Sequence, residues 1–451
     1  MNYSDSLNYL AGLGHELRGV VFRLETIESI LARLDAPHRK YQTAIVAGTN
    51  GKGSTAAFLA SIVQRAGLRT GLYTSPHLVR VNERIRFQDA EISDADFARA
   101  VAEVREAVER LRADGILEKP PSFFEFLTAT AFVHFARAGA EFVVLEVGMG
   151  GRLDATNVTE PRVAVITPID LDHMEYLGST LAEIAGEKAG VIKRGRPVVS
   201  STVHPETVEV IRRRCAELGA PLFEIPRRSE LRPLRTDHGR YRFDFAFDGE
   251  MFQELSSPLA GRFQMANAAT AVAAAWILRR GGLGQITHDV IREGLQRTAW
   301  PGRLESICGS PLVILDGAHN PSGAAEVAEF VREHLRGRKV RLVYGSMRDK
   351  AVREMTQILW PLAEEVYLTA PEHARTMTPE DVLAVAGSKP KSFVIEPSTA
   401  RAVARAIAAS APEDVVLVTG SLFLVGEIKK AILDQTLQLP AENGRENFVR
   451  T

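Results

Sequence analysis

Thr43-Ala44-Ile45-Val46-Ala47-Gly48-Thr49-Asn50-Gly51-Lys52-Gly53-Ser54-Thr55 is the stretch from which the fold is read. Its first five residues predict a buried strand, the glycines a tight turn, and the residues after them a helix over roughly 52–66. A strand running through such a turn into a helix lets the backbone wrap an anion. The first amides of the helix then point at phosphate oxygens. Lys52 would neutralise a terminal phosphate, and Ser54 or Thr55 would reach a phosphate or its metal. The spacing departs from G-x-x-x-x-G-K-[ST], because Gly53 separates Lys52 from Ser54. A glycine-rich turn with a solvated lysine is the competing reading. The flanking strand and helix favour a nucleotide loop made of Thr49, Asn50, Gly51, Lys52, Gly53 and Ser54.

Outward from this loop, short apolar runs alternate with helical patterns. Strands are expected at 70–74, 142–147, 162–167 and 197–201, with helices near 93–112, 124–138, 179–191 and 205–218. This alternation predicts a mostly parallel sheet covered on both faces. Thr180-x-x-Glu183 and Ser93-x-x-Asp96 resemble capping boxes, the second with Asp in place of Glu or Gln. Residues 241–252 alternate as a hairpin with Asp248-Gly249 at its turn, and helices follow at 267–278 and near 287–297. Trp300-Pro301-Gly302 then breaks the chain. Strands at 312–315, 339–344, 365–369, 392–395 and 415–419 predict a second, smaller Rossmann-like α/β domain. The expected organisation is a nucleotide-binding domain over 1–298, a C-terminal α/β domain over 299–437 and a loosely held tail over 438–451.

Composition narrows the function classes. At 451 residues, with 45% hydrophobic and 25% charged residues, the chain reads as ordinary globular protein. Lys and Arg total 55 against 56 Asp and Glu, so nothing suggests a polycation for nucleic acid. Cys215 and Cys308 match no metal or redox spacing and read as buried thiols of a reducing compartment. No secretory signal or membrane-spanning run is evident. The expectation is a cytoplasmic, monomeric protein that handles small molecules, with no nucleic-acid or membrane partner.

The 48–54 loop and six further segments in order carry a resemblance across roughly 45–425. The six are Ser75-Pro76-His77-Leu78 with Asn82-Glu83-Arg84-Ile85, Glu146 through Asn157, Asp170-x-Asp172-His173, Glu187-Lys188-Ala189-Gly190, Pro301-Gly302-Arg303, and Asp316-Gly317-Ala318-His319-Asn320. Together they resemble the Mur ligase family, specifically its folylpolyglutamate synthase/dihydrofolate synthase branch. Only 47 residues precede Gly48, too few for the separate UDP-sugar domain of the cell-wall ligases. Ser75, Glu146 and His173 follow or end three strands, where a hydroxyl, a carboxylate and an imidazole could hold a divalent ion. The resemblance implies the same three as Mg²⁺ ligands, with two ions in all. Imidazole is an unusual ligand for hard Mg²⁺, so Mn²⁺ is also admitted.

Lys188 has no helical ion-pair partner, and a snorkelling surface lysine is the default reading. The resemblance implies instead that it is carbamylated by CO₂, which requires a neutral amine and hence desolvation. It also assigns ATP contacts to Asn267, Arg303 and Asp316, and amino-acid contacts to Arg84, His319 and Ser421. A pteroate site is implied at Ser122, Phe123, Phe124, Glu125 and Leu153, with Ser122 where the family commonly has Thr. Taken singly these residues also suit caps, turns and packing. The implied activity is an ATP-dependent carboxylate–amine ligase acting through an acyl phosphate, with Lys52, His173 and Lys188 as catalytic residues. A ligase for another acceptor, a conformational ATPase and a nucleotide-binding regulator without turnover are the alternatives.

Overall fold

The computed structural model describes residues 1–14 and 23–440. The tail expected over 438–451 therefore lies largely outside the described residues. Contacts divide the chain into two compact units, one of 1–232, 244–255 and 266–298, the other of 233–243, 256–265 and 299–451.

The first unit is built on eight strands: β1 (Gln42–Ala47), β2 (Thr70–Tyr73), β3 (Ile85–Phe87), β4 (Ala90–Glu91), β5 (Phe142–Glu146), β6 (Val163–Ile166), β7 (Val198–Ser200) and β8 (Leu222–Glu224). Their order is β4-β3-β2-β5-β1-β6-β7-β8. From β2 to β8 every pairing is parallel, and at one edge β3 runs antiparallel to both its neighbours, β2 and β4. The apolar runs anticipated from sequence are thus the inner strands, buried on both faces because helices cover both. Ile45, Leu145 and Ile166 pack in one core with Phe126, Phe132 and Ile184 from the covering helices.

Two helix starts behave as their chemistry dictates. Thr180 and Glu183 form a complete reciprocal box, Glu183 N–H donating to Thr180 Oγ1 at 3.2 Å and Thr180 N–H to Glu183 Oε2 at 3.0 Å. Ser93 caps Asp96 N–H at 3.1 Å, but Asp96, one methylene shorter, interacts with the Ser93 hydroxyl rather than its backbone.

The hairpin foreseen at 241–252 is β10 (Arg240–Phe247) and β11 (Glu250–Ser256), and a further strand, β9 (Ser229–Asp237), completes a three-stranded sheet. The second unit carries β12 (Glu305–Gly309), β13 (Leu312–Leu315), β14 (Val340–Tyr344), β15 (Glu365–Leu368), β16 (Phe393–Ile395) and β17 (Val415–Thr419) in the order β12-β13-β17-β14-β15-β16. Within this six-stranded sheet every pairing is parallel except β12 with β13. Leu342, Val366, Leu368 and Leu417 form its core with Phe330, Met355 and Trp360. Both cysteines are free and buried, and burial pushes the Cys215 thiol up to about 12. Among the described residues no helix is long and apolar enough to cross a membrane.

Candidate active site

Strand order in the first unit reverses around β1, since the chain goes from β1 to β2 on one side and reaches β6 on the other. In such sheets ligands bind beyond the carboxyl ends of the strands at that reversal. Gly48 to Gly51 leaves β1 there and enters the helix Lys52–Arg65. Gly51 has φ +85°, and a Cβ on it would stand 2.3 Å from Asn267 Oδ1. Only glycine therefore lets Asn267, on the helix Arg262–Arg280, approach the loop. The residues after β6 clamp the other side. Thr49 N–H donates to Pro168 O at 2.9 Å, and Thr49 Oγ1 lies 3.0 Å from both the carbonyl and the amide of Asp170.

Two lysines meet at one carbonyl. Lys52 Nζ donates to Gly48 O at 3.1 Å and Thr49 O at 3.0 Å, and Lys188 Nζ donates to Gly48 O at 2.7 Å. Lys188 is only 4% exposed, which overturns the reading of a surface lysine. Burial, and then the Lys52 charge, pull its amine down to about 7, partly opposed by Asp172 and Asp154. Near neutral pH such an amine is partly uncharged and nucleophilic.

The residues considered for a metal come from the ends of β2 and β5 on one side of β1 and of β6 on the other. Glu146 closes β5, is 5% exposed, and its Oε2 accepts from Ser75 N–H at 3.1 Å. His173 sits at φ +51° ahead of a short helical turn, Met174–Leu177, with Nε2 at 3.9 Å from Asp172 Oδ2. Among the described residues no three His, Cys, Asp or Glu side chains gather as a metal cage. A hydroxyl, a buried carboxylate and an imidazole are chemically suited to an open site that phosphate oxygens and waters would complete.

On the far side of β2, Arg84 is buried, its Nε donating to His77 Nδ1 at 2.8 Å and its guanidinium lying 5.4 Å from the centre of the Phe123 ring. Ser122 caps the helix Phe123–Arg137 in a reciprocal box with Glu125, whose Oε2 accepts from Ser122 N–H at 2.8 Å and from its hydroxyl at 2.7 Å. Phe124 covers Gly148, where a Cβ would stand 2.5 Å from its ring. Leu153 is half-buried in the loop that follows.

In the second unit Asp316 follows β13, is 3% exposed, and accepts from Leu304 N–H at 2.9 Å and Ala318 N–H at 2.8 Å. Burial raises its carboxyl above the usual range, with Arg303 opposing. The Arg303 guanidinium lies against Gly317, where a Cβ would come within 2.5 Å of Nη1. His319 Nδ1 is 2.9 Å from Gly317 O; a carbonyl only accepts, so that nitrogen carries the proton. Ser421 caps the helix Leu422–Leu433.

Residues 46–275 match the Mur ligase middle domain and 302–422 the Mur ligase glutamate ligase domain. The dihydrofolate synthase/folylpolyglutamate synthase of Bacillus subtilis is 34% identical over 95% of this chain and 99% of its own. The chain belongs to the Mur ligase family. Within that family, the Lacticaseibacillus casei folylpolyglutamate synthase is 33% identical over 96% of this chain and 99% of its own. The fold matches Escherichia coli FolC in complex with DHPP and ADP at a TM-score of 0.85, with 32% identity over 97% and 99% of the two chains. A Mycobacterium tuberculosis folylpolyglutamate synthase bound to ADP gives 0.87, with 31% identity over 95% and 98%.

Three residues of this Mur ligase escaped the reading by sequence although they lie in its motifs. Asp154 is buried and accepts from Gly148 N–H at 3.0 Å and Met149 N–H at 3.1 Å through Oδ2, which shapes the loop beneath Phe124. Asp172 orients the backbone of His173, accepting its N–H at 2.9 Å. His77 holds Arg84. Their place inside these motifs is the one signal the sequence carries for them, since each acts on a neighbour whose position the loop conformation decides.

Proposed function

We propose that the protein is an ATP-dependent ligase that adds L-glutamate to dihydropteroate, to the glutamate tail of folates, or to both. The γ-phosphoryl group of ATP passes to an oxygen of the acceptor carboxylate, breaking its bond to the β-phosphate bridging oxygen and releasing ADP. The glutamate α-amine then attacks the acyl carbon, phosphate leaves, and the amine gives up a proton to form the amide. Lys52 and the loop Thr49–Ser54 hold the phosphates, the loop through the amides of Gly51–Ser54, and positioning plus charge stabilisation carry the rate. Ser75, Glu146 and His173 would hold Mg²⁺, which when bound neutralises phosphate charge. Asn267, Arg303 and Asp316 are assigned to ATP, and Arg84, His319 and Ser421 to glutamate. Ser122, Phe123, Phe124, Glu125 and Leu153 are assigned to the flat heterocycle. Residues 1–298 are taken as the ATP-binding domain and 299–437 as the C-terminal α/β Mur ligase domain of a cytoplasmic monomer.

The observation that carries this reading is Lys188, an amine buried against the phosphate loop with a pKa near 7. A conformational ATPase has no evident use for it. In the ligase its nitrogen attacks CO₂, forms an N–C bond and releases a proton, leaving an anionic carbamate for a second metal ion. Phosphate release from ATP, with and without L-glutamate and dihydropteroate or tetrahydrofolate, tests the proposal. Release that needs both co-substrates supports it, and acceptor-independent release refutes it. Incubation with ¹³C-bicarbonate should give a carbamate carbon resonance that is absent in Lys188→Met.

A further inference from the structure

We infer that His77 is a positioning residue for this reaction, its Nδ1 fixing the Arg84 guanidinium over Phe123 in the orientation that receives a carboxylate of L-glutamate. The inference rests on the assignment of Arg84 to the amino acid.

The backbone on both sides of the contact is pinned. Ser75 N–H donates to Glu146 Oε2 at 3.1 Å. Leu78, Val79 and Arg80 donate their amides to the carboxylate of Glu83, each at 2.7 Å. Arg84 ends the turn Val81–Arg84 and accepts from Thr74 N–H at 3.0 Å through its carbonyl. His77 and Arg84 thus face each other from two fixed segments, and the 2.8 Å bond between them sets the guanidinium plane.

The chemistry of the partner matters as much as its place. A carboxylate facing Arg84 would neutralise it and compete with the substrate for the same charge. A neutral imidazole accepts from Nε and leaves the positive charge intact. Because Nδ1 accepts, the ring proton is on Nε2. The bond from Arg84 Nε at 2.8 Å requires a lone pair on Nδ1, so the imidazole meets the guanidinium as an acceptor and not as a second cation.

Kinetics of the full chain with His77→Leu, His77→Asn and His77→Asp test this, with L-glutamate varied at saturating ATP and acceptor. Asn presents an oxygen close to the place of Nδ1 and is neutral. The expected result is a KM for glutamate raised about tenfold in H77L, equivalent to about 1.4 kcal/mol. In that variant kcat should stay within about twofold and KM for ATP should not move. H77N should recover most of the loss, and H77D, which supplies an acceptor but cancels the charge, should not. In an Arg84→Ala background H77L should add nothing. The inference is overturned if H77N and H77L lose kcat alike with lowered Tm, if the two substitutions are additive, or if the KM change falls on ATP or the pteroate acceptor. Failure of the parent reading shows separately, as wild-type phosphate release that ignores glutamate.

Discussion

In the first unit, Gly48 O accepts from both Lys52 and Lys188, two like charges drawn to one oxygen beside a glycine loop. In the second, Asp316 accepts from two backbone amides with Arg303 close by, a carboxylate whose partners are opposite to it in character. Both sets stand at the carboxyl ends of parallel strands. Lys188 resists burial and is repelled by Lys52, with Asp172 and Asp154 only partly opposing, so its placement works against stability. The aspartate also resists burial, but its amide bonds brace the backbone around it, so it holds its own unit together as well as standing where ATP is proposed to bind. Function and folding should therefore separate in the first unit and stay joined in the second.

Lys52→Ala is the largest expected effect. It should lower kcat by about 10³-fold, the scale of removing one preorganised charge contact, with Tm unchanged or slightly raised. Lys188→Met should lower turnover by about 10²-fold yet stabilise the fold in CO₂-free buffer. The sign follows from linkage. The folded-state pKa of about 7 lies below the unfolded value of 10.5, so the unfolded chain binds the extra proton between them. The penalty of the native lysine is complete below pH 7 and disappears as pH rises towards about 10.5. The variant's advantage, on the order of 1–3 kcal/mol at pH 6, should shrink over that window in urea melts. Loss of stability at pH 6 would break the contrast.

Asp316→Asn asks the converse of the second unit. Asn keeps one acceptor oxygen and puts an amine where the other backbone N–H points. A destabilisation of about 1–3 kcal/mol is expected, because one buried donor loses its partner. The KM for ATP should rise about tenfold together with it. A variant that weakens ATP but leaves the melting curve in place would show that the two units are built alike.

The divide between what could and could not be read follows the same physics. Strands β13 and β17 end where their apolar runs end, and the phosphate loop declares itself because anion binding demands glycine and lysine. The strand β9 was missed because Ser229–Asp237 is mostly exposed, highly charged and contains Pro233, none of which signals a strand. The helices Tyr3–Gly12 and Glu25–Arg33 are short and half polar, and tertiary packing rather than propensity holds them. Among site residues, Lys52 and Glu146 could be singled out by chemical type and strand position. The burial of Lys188 could not, since it depends on Gly48 arriving from 140 residues away.

Ser122 supplies the smallest effect and the sharpest distinction between holding a fold and holding a ligand. Its hydroxyl accepts from Glu125 N–H at 3.2 Å and donates to Glu125 Oε2, so one oxygen both caps a helix and orients a carboxylate. Ser122→Ala removes both, and should cost about 1 kcal/mol from the lost cap. Ser122→Asn restores an equally good cap, so stability should return in full. If the hydroxyl also steers Glu125 towards the heterocycle, KM for dihydropteroate should rise about threefold in both variants while KM for ATP stays fixed. A KM that recovers along with the melting curve in Ser122→Asn would make the residue a cap alone. This loop would then resemble Asp316 in serving its own backbone, and the contrast between the two units would narrow to the lysine pair.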